Sequence, residues 1–79
     1  MSTKRQIEDC VRDRLEDYFT DLDGIEPAAM YDMILKVVER PLLDVVMQKA
    51  DQNQSRAAEW LGVNRNTLRK KLLEHQLLK

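Results

Sequence analysis

The sequence has few of the residues that interrupt helices and few of those that build disulfides or catalytic sites. Its 79 residues include two Gly, two Pro and one Cys, and aromatic residues make up 5%. So few turn-forming residues favour one small helical domain. A single Cys cannot form an internal disulfide, and the chain shows neither a signal-peptide pattern nor an apolar run long enough to span a membrane. We therefore expect a soluble, cytoplasmic protein that does not associate with membranes.

Groups that could support catalysis are equally scarce. The one His, His75, stands near the C-terminus, Cys10 falls within an apolar pattern, and no Gly-rich phosphate loop is present. We expect Cys10 in the core and His75 exposed to solvent. Carboxylates on one face of the first predicted helix could in principle hold a metal, but no His or Cys cluster accompanies them, so a solvated face is the better interpretation. The sequence predicts no enzyme, cofactor, metal or small-molecule ligand.

Charge is divided unevenly along the chain. Residues 1–51 carry seven basic and twelve acidic side chains, whereas residues 52–79 carry six basic and two acidic ones. The overall net charge of −1 hides this division. An acidic body joined to a basic C-terminal segment indicates a local contact surface for nucleic acid.

The basic segment has the pattern of two short helices joined by a tight turn. Gly62 can adopt the left-handed backbone that ends a helix, and Ala58, four residues earlier, is small enough for a second helix to cross closely. Asn53 or Ser55 can cap the first helix, predicted at about residues 55–61, and Asn64 can cap the second. One apolar set is predicted to join the two helices: Ala57, Ala58, Leu61, Val63, Leu68 and Leu72.

Basic and polar side chains remain on the outer face of the second helix, as in a helix-turn-helix that enters the major groove. The first residues of such a recognition helix reach the bases, which places Asn64 and Arg65 deepest, and Arg65 is the predicted main base reader. A helical hairpin with a merely solvated basic face is the alternative. It is disfavoured because the small residue, the Gly and two Leu would then coincide by chance with a face of one charge sign.

The N-terminal two-thirds of the chain predicts two longer helices. The first, about residues 5–22, has a single apolar stripe at spacings of three and four, formed by Ile7, Cys10, Val11, Leu15, Tyr18, Phe19 and Leu22. Pro27 is expected in the first turn of the second, about residues 28–50, and Pro41 is expected to bend that helix without ending it. Tyr31 in this helix and Trp60 in the hairpin are both interpreted as packing residues.

The second long helix is apolar on nearly every face, so it must be covered on all sides. We predict an all-α, intertwined homodimer in which this helix crosses its counterpart. Seven residues are predicted at the dimer interface: Met30, Ile34, Val37, Val38, Leu42, Val45 and Val46. A monomer with an exposed apolar face is the alternative, but stable monomers seldom expose large patches. Residues 1–52 would form the dimerisation core and residues 53–79 the helix-turn-helix, within one compact domain overall.

Three segments resemble the Fis family, the bacterial factor for inversion stimulation: NQSRAA at 53–58, LGVNRNTLRKKL at 61–72 and RPLLDVVM at 40–47. The resemblance covers about residues 7–72. It implies a four-helix subunit in an obligate dimer, acting as a nucleoid-associated transcriptional regulator that bends DNA and binds degenerate sites. It also implies base contacts by Asn64 and Arg65. Phosphate contacts are implied for a further set: Asn53, Ser55, Arg56, Thr67, Arg69, Lys70 and Lys71.

Several features depart from the family pattern. The chain begins too late for the mobile N-terminal β-hairpin arm of longer members, so stimulation of recombinases is in doubt. Asp51 and Gln52 replace a basic residue and a glycine, and Leu73 and Glu74 stand where lysines are common, which predicts weaker wrapping of flanking DNA. RNA polymerase is a further candidate partner. Two alternatives stay open: the DNA-binding end of a sigma-54-dependent activator, and a dimeric helical module that binds protein.

Overall fold

A computed structural model of the chain describes residues 2–78. These residues form four α-helices and no strand: α1 Thr3–Leu22, α2 Met30–Lys49, α3 Gln54–Leu61 and α4 Arg65–Glu74. The predicted all-α class, with two long helices followed by a short helical pair, is confirmed. The chain divides into two compact units, residues 1–30 and residues 31–79. The predicted functional division at residue 52 is a separate matter and stays a prediction.

The first unit holds α1, which is amphipathic but has no fully buried residue. Its least exposed apolar side chains are Val11, Leu15, Tyr18 and Leu22, which follow one another at spacings of four, three and four. The predicted stripe was therefore too wide. Cys10 is exposed, contrary to the prediction, because it lies about 100° around the helix from Val11. The helix ends as predicted, since Asp23 and Gly24 both have left-handed backbone conformations.

The connection to α2 differs from the prediction. Pro27 was expected in the first turn, but α2 begins at Met30, and Ala29 just before it has a φ of 53°. A left-handed residue at this position interrupts the helical path, so Pro27 lies in the connection. Further along, Pro41 lies inside α2 and does not end it. One continuous helix is therefore confirmed.

The core of the second unit lies between one face of α2 and the two short helices. Seven side chains are buried there: Leu43, Met47, Ala50, Ala57, Ala58, Leu68 and Leu72. Val46, Leu61, Leu77 and Leu78 pack against this cluster, so the residues after α4 help to close it. Val63, which was predicted to join the apolar set, is instead 37% exposed.

A second face of α2, beside the buried one, is apolar and exposed. Its members recur at alternating intervals of four and three residues and are between 44 and 78% exposed: Tyr31, Leu35, Val38, Leu42 and Val45. We call these five residues the α2 stripe. Tyr31, expected to be a packing residue, is thus 78% exposed among the described residues. Because residues two apart on a helix point in nearly opposite directions, Leu43 can be buried while Val45 faces outward.

Candidate nucleic-acid interface

The turn between α3 and α4 has the geometry expected of a helix-turn-helix. Gly62 has a φ of 73° and a ψ of 30°, and its backbone N–H donates to the carbonyls of Ala58 and Glu59. The N–H of Val63 donates to the Ala58 carbonyl over 3.1 Å. These three bonds satisfy carbonyls that the end of α3 would otherwise leave free. The helix therefore stops sharply, and α4 begins at Arg65 after three intervening residues.

Two asparagines fix where the short helices begin. The Oδ1 atom of Asn53 accepts a hydrogen bond from the Arg56 amide over 3.1 Å, and that of Asn64 accepts one from the Asn66 amide over 2.7 Å. Each bond satisfies an amide that the first turn of a helix leaves without a partner. Of the two caps considered for α3, the structure selects Asn53 rather than Ser55.

Arg65 lies at the start of α4 and is exposed. Its Nη1 atom is 3.5 Å from the Ser55 hydroxyl, which links the first turns of α3 and α4. At this length the bond is weak, so a stronger partner can draw the guanidinium away. The structure thus brings together a predicted base reader and a predicted phosphate contact on one side of the helix pair.

A basic surface extends from this point along the exposed sides of α3 and α4. Arg56, Thr67, Arg69 and Lys70 are all exposed. Leu68 and Leu72, by contrast, are completely buried and fix which side of α4 faces outward. The arrangement presents guanidinium and ammonium groups with hydrogen-bonding hydroxyls and amides, as phosphate and base-edge recognition requires.

Lys71 differs from its basic neighbours. Its Nζ atom lies 2.8 Å from Oε2 of Glu39, a residue of α2, and its side chain is 36% exposed. The nearby Lys71 ammonium lowers the pKa of Glu39, and Glu39 in turn raises the pKa of Lys71. The phosphate contact implied for Lys71 stays a prediction, but within the chain its ammonium is already paired.

Sequence reasoning missed Glu39 and misjudged His75. The His75 side chain, expected in solvent, is only 11% exposed, and its Nε2 atom lies 2.8 Å from Oε1 of Glu39. It points inward because it follows Leu68, Lys71 and Leu72 along the side of α4 that packs on the core. Trp60 shows the opposite error, since it is 57% exposed. The inner face of α3 is occupied by Ala57, Ala58 and Leu61, and Trp60 lies outside that face.

Comparison with known proteins places this geometry in a family. The sequence profile described as "Bacterial regulatory protein, Fis family" matches residues 34–75, which include α3, α4 and most of α2. The chain belongs to the Fis family. It therefore carries a bacterial, DNA-binding helix-turn-helix of the regulatory type, as the resemblance implied.

Individual relatives are similar in sequence to this chain over most of their own length. A Fis-like DNA-binding protein of Ralstonia nicotianae is 57% identical over 76 residues, which cover 96% of this chain and 99% of that protein. The DNA-binding protein Fis of Psychromonas ingrahamii is 47% identical over 92% of this chain and 74% of that protein. That of Aeromonas hydrophila is 50% identical over 89% of this chain and 71% of that protein.

Two negative observations concern the described residues alone. Between residues 2 and 78, no helix is long and apolar enough to cross a membrane. Within the same range, no three His, Cys, Asp or Glu side chains are grouped as a metal ion would require.

Proposed function

We propose that this Fis-family protein works as a homodimer that joins through the α2 stripe and presents two copies of α4 to DNA. The observation that carries the proposal is the stripe itself, five large apolar side chains at intervals of four and three along a 20-residue helix. Those intervals match the seam of paired helices, in which apolar residues meet every 3.5 residues on average. An identical helix offers an identical stripe, so the contact is self-complementary about a twofold axis.

Four of the seven residues predicted at the interface are exposed within the chain: Val37, Val38, Leu42 and Val45. Met30 and Ile34 are half-buried, and Val46 packs against the chain's own core. Val38, Leu42 and Val45 belong to the α2 stripe, so a second subunit would cover them and gain roughly 25 cal/mol for each Å² of apolar surface removed from water. Val37 lies about 100° around the helix from Val38, outside the stripe. The stripe therefore supports dimerisation mainly through residues 31–45.

Charged substitution within the stripe tests this arrangement. Leu42→Glu would bury a carboxylate in the interface, at a desolvation cost that the dimer cannot offset. Gln48→Glu is the matched control, because it adds the same charge to an exposed position on the same helix outside the stripe. We expect Leu42→Glu to separate the subunits and to weaken binding to a two-half-site DNA at least tenfold, while Gln48→Glu stays dimeric. A Leu42→Glu protein that stayed dimeric would refute the interface.

We further propose that Asn64 and Arg65 contact base edges. Support comes from their position at the first turn of α4 and from the exposure of the Arg65 guanidinium beside the Ser55 hydroxyl. Arg65→Ala should cost roughly 1 to 3 kcal/mol at a selected site and flatten sequence preference, whereas Lys70→Ala should weaken all sites alike. Selection from a randomised duplex library with each variant measures both effects. Unchanged preference in Arg65→Ala would remove the base-reading role.

The phosphate contacts are proposed for the exposed polar surface around these readers: Asn53, Ser55, Arg56, Thr67, Arg69 and Lys70. The side-chain oxygens of the two capping asparagines, Asn53 and Asn64, already accept hydrogen bonds from backbone amides. Their amide NH₂ groups stay free to donate to DNA, since Asn carries two donors besides its acceptor. Ethylation interference along a selected duplex would identify the phosphates that these side chains approach.

The family resemblance also implies that the paired recognition helices lie closer together than adjacent major grooves of straight DNA. We therefore propose that the dimer bends its sites and that sequence-dependent flexibility contributes to specificity. Gel mobility of complexes with the site moved along a fragment measures the bend, and mobility independent of site position would contradict it. In this proposal the protein is a nucleoid-associated regulator in the cytoplasm, with RNA polymerase as a candidate partner.

A further inference from the structure

One carboxylate outside the DNA-contact surface joins α2 to the last part of α4. Glu39 accepts from the Lys71 ammonium at Oε2 and contacts the His75 imidazole at Oε1, each over 2.8 Å. The Glu39 side chain is 24% exposed and that of His75 is 11% exposed, so both contacts are partly shielded from water. The guanidinium of Arg40, the next residue on α2, donates to the backbone carbonyl of His75. Three contacts thus meet at one end of the recognition helix.

These contacts fix the orientation of α4, which apolar packing in the core does not. Leu68 and Leu72 anchor α4 by apolar packing, which is strong but does not depend on direction. Hydrogen bonds between charged groups depend on direction, and a carboxylate with one partner on each oxygen defines a plane. Lys71 and His75 are four residues apart and therefore lie one above the other on α4. Holding both to one carboxylate fixes the tilt and the rotation of the helix about its axis.

We propose that Glu39 is a positioning residue for the recognition helix. Glu39, Lys71 and His75 form a clamp at the end of α4, and Lys71 and His75 belong to this clamp rather than to the DNA-contact surface. The proposal rests on the DNA-binding role of α4. In this proposal Glu39 itself does not contact DNA. The carboxylate acts through α4, by holding the base-reading end of that helix at the orientation a groove requires.

The length of α4 explains why its far end matters. Ten residues span about 15 Å, so a tilt of about 10° at the clamp moves the opposite end by about 2 to 3 Å. Productive contact geometry tolerates errors of only about 0.5 Å. A loosened clamp therefore impairs Asn64 and Arg65, which need exact alignment with base edges, more than it impairs flexible phosphate contacts.

The sign of the effect separates positioning from simple electrostatics. If only charge mattered, Glu39→Gln would remove a negative charge and strengthen all DNA binding, while Lys71→Gln would weaken all binding. If the clamp positions α4, Glu39→Gln and Lys71→Gln both lower the ratio of specific to nonspecific affinity. The double variant lowers this ratio no more than either single variant does, because each change already breaks the same contact.

The experiment measures that ratio by fluorescence anisotropy. The probes are a duplex selected by the wild-type protein from a random library and a scrambled duplex of the same composition. We expect Glu39→Gln, Lys71→Gln and the double variant each to lower the ratio roughly five- to fiftyfold. Lys4→Gln on α1 and Glu59→Gln on α3 are matched controls at exposed positions with equal charge changes, and both should leave the ratio unchanged.

Each outcome decides the matter. A Glu39→Gln protein with higher affinity for both duplexes and an unchanged ratio overturns the clamp while leaving DNA binding intact. A wild-type protein that enriches no duplex from the random library overturns the proposed function itself. If Glu39→Gln fails to unfold cooperatively, His75→Ala removes one contact and spares the Lys71 bond, and it must still lower the ratio. An unchanged ratio in a folded His75→Ala protein counts equally against the clamp.

Discussion

The salt dependence of DNA binding follows directly from which cations are free. Arg56 on α3 and Arg69 and Lys70 on α4 are exposed, whereas Lys71 is paired with Glu39. If each free cation neutralises one phosphate, a dimer neutralises six, and log affinity should fall with log salt at a slope of about −5. Including Lys71, as the family resemblance implies, gives eight phosphates and a slope of about −7.

The two slopes can be distinguished with a selected duplex titrated at several salt concentrations. Raising the salt from about 50 to 200 mM should weaken wild-type binding about 10³-fold. Arg69→Gln removes two phosphate contacts per dimer and should make the slope shallower by about 2 units. Lys71→Gln is the control with the same charge change, and it should leave the slope near −5. Electrostatic steering adds a similar salt dependence to the association rate, so the equilibrium constant is the quantity to measure.

Two results would refute this reasoning. A wild-type slope shallower than about −3 would mean that too few phosphates are neutralised for paired recognition helices. A Lys71→Gln slope as shallow as that of Arg69→Gln would mean that Lys71 leaves Glu39 and contacts DNA. In that case the clamp would not survive in the complex.

The remaining predictions concern stability. Leu68→Ala should cost about 2 to 5 kcal/mol in urea unfolding, because Leu68 is completely buried. Gly62→Ala should cost only about 1 kcal/mol, since an added Cβ would meet nothing within 4 Å and only the positive φ opposes it. Asn64→Ala should cost about 1 kcal/mol through the lost cap. Because folding lowers the pKa of Glu39, its carboxylate adds to the free energy of unfolding at neutral pH, and this stabilisation is lost as the pH falls below 4.5. The stability difference between wild type and Glu39→Gln should therefore shrink in acid.

Each of these has a clear contrary outcome in the same urea titrations. A Leu68→Ala protein within 1 kcal/mol of wild type would contradict the core. Gly62→Ala at wild-type stability would contradict the left-handed turn. Asn64→Ala without loss would mean that water caps α4 equally well. A Glu39→Gln difference that grew in acid would reverse the sign of the linkage, because a group with a lowered folded-state pKa stabilises only above its unfolded-state value.

The helix-turn-helix was predictable because its signals are local. A Gly at the end of α3, an Asn before each short helix and small residues on the inner face of α3 act within a few positions of one another. Each signal has one dominant physical meaning, and the structure confirms each. The start of α2 was less predictable, because Pro27 fits both a first turn and the connection that precedes one.

The clamp was not predictable, because its members are 32 and 36 residues apart. No periodicity links Glu39 to Lys71, and α2 carries five other charged residues, so Glu39 does not stand out in the sequence. His75 was misjudged for the same reason: its burial depends on how α4 crosses α2, not on its neighbours in sequence. Trp60 and Tyr31 were predicted to pack because each falls inside an apolar helical pattern, whereas their exposure follows from which helix face meets the core.

The mass of the wild-type protein in solution tests the central claim most directly. The α2 stripe is apolar, regularly spaced and exposed among residues 2–78, and in the proposed dimer a second copy covers it. Light scattering during gel filtration at micromolar concentration should give twice the subunit mass of 9.3 kDa. A single-subunit mass, unchanged on further concentration, would contradict the account.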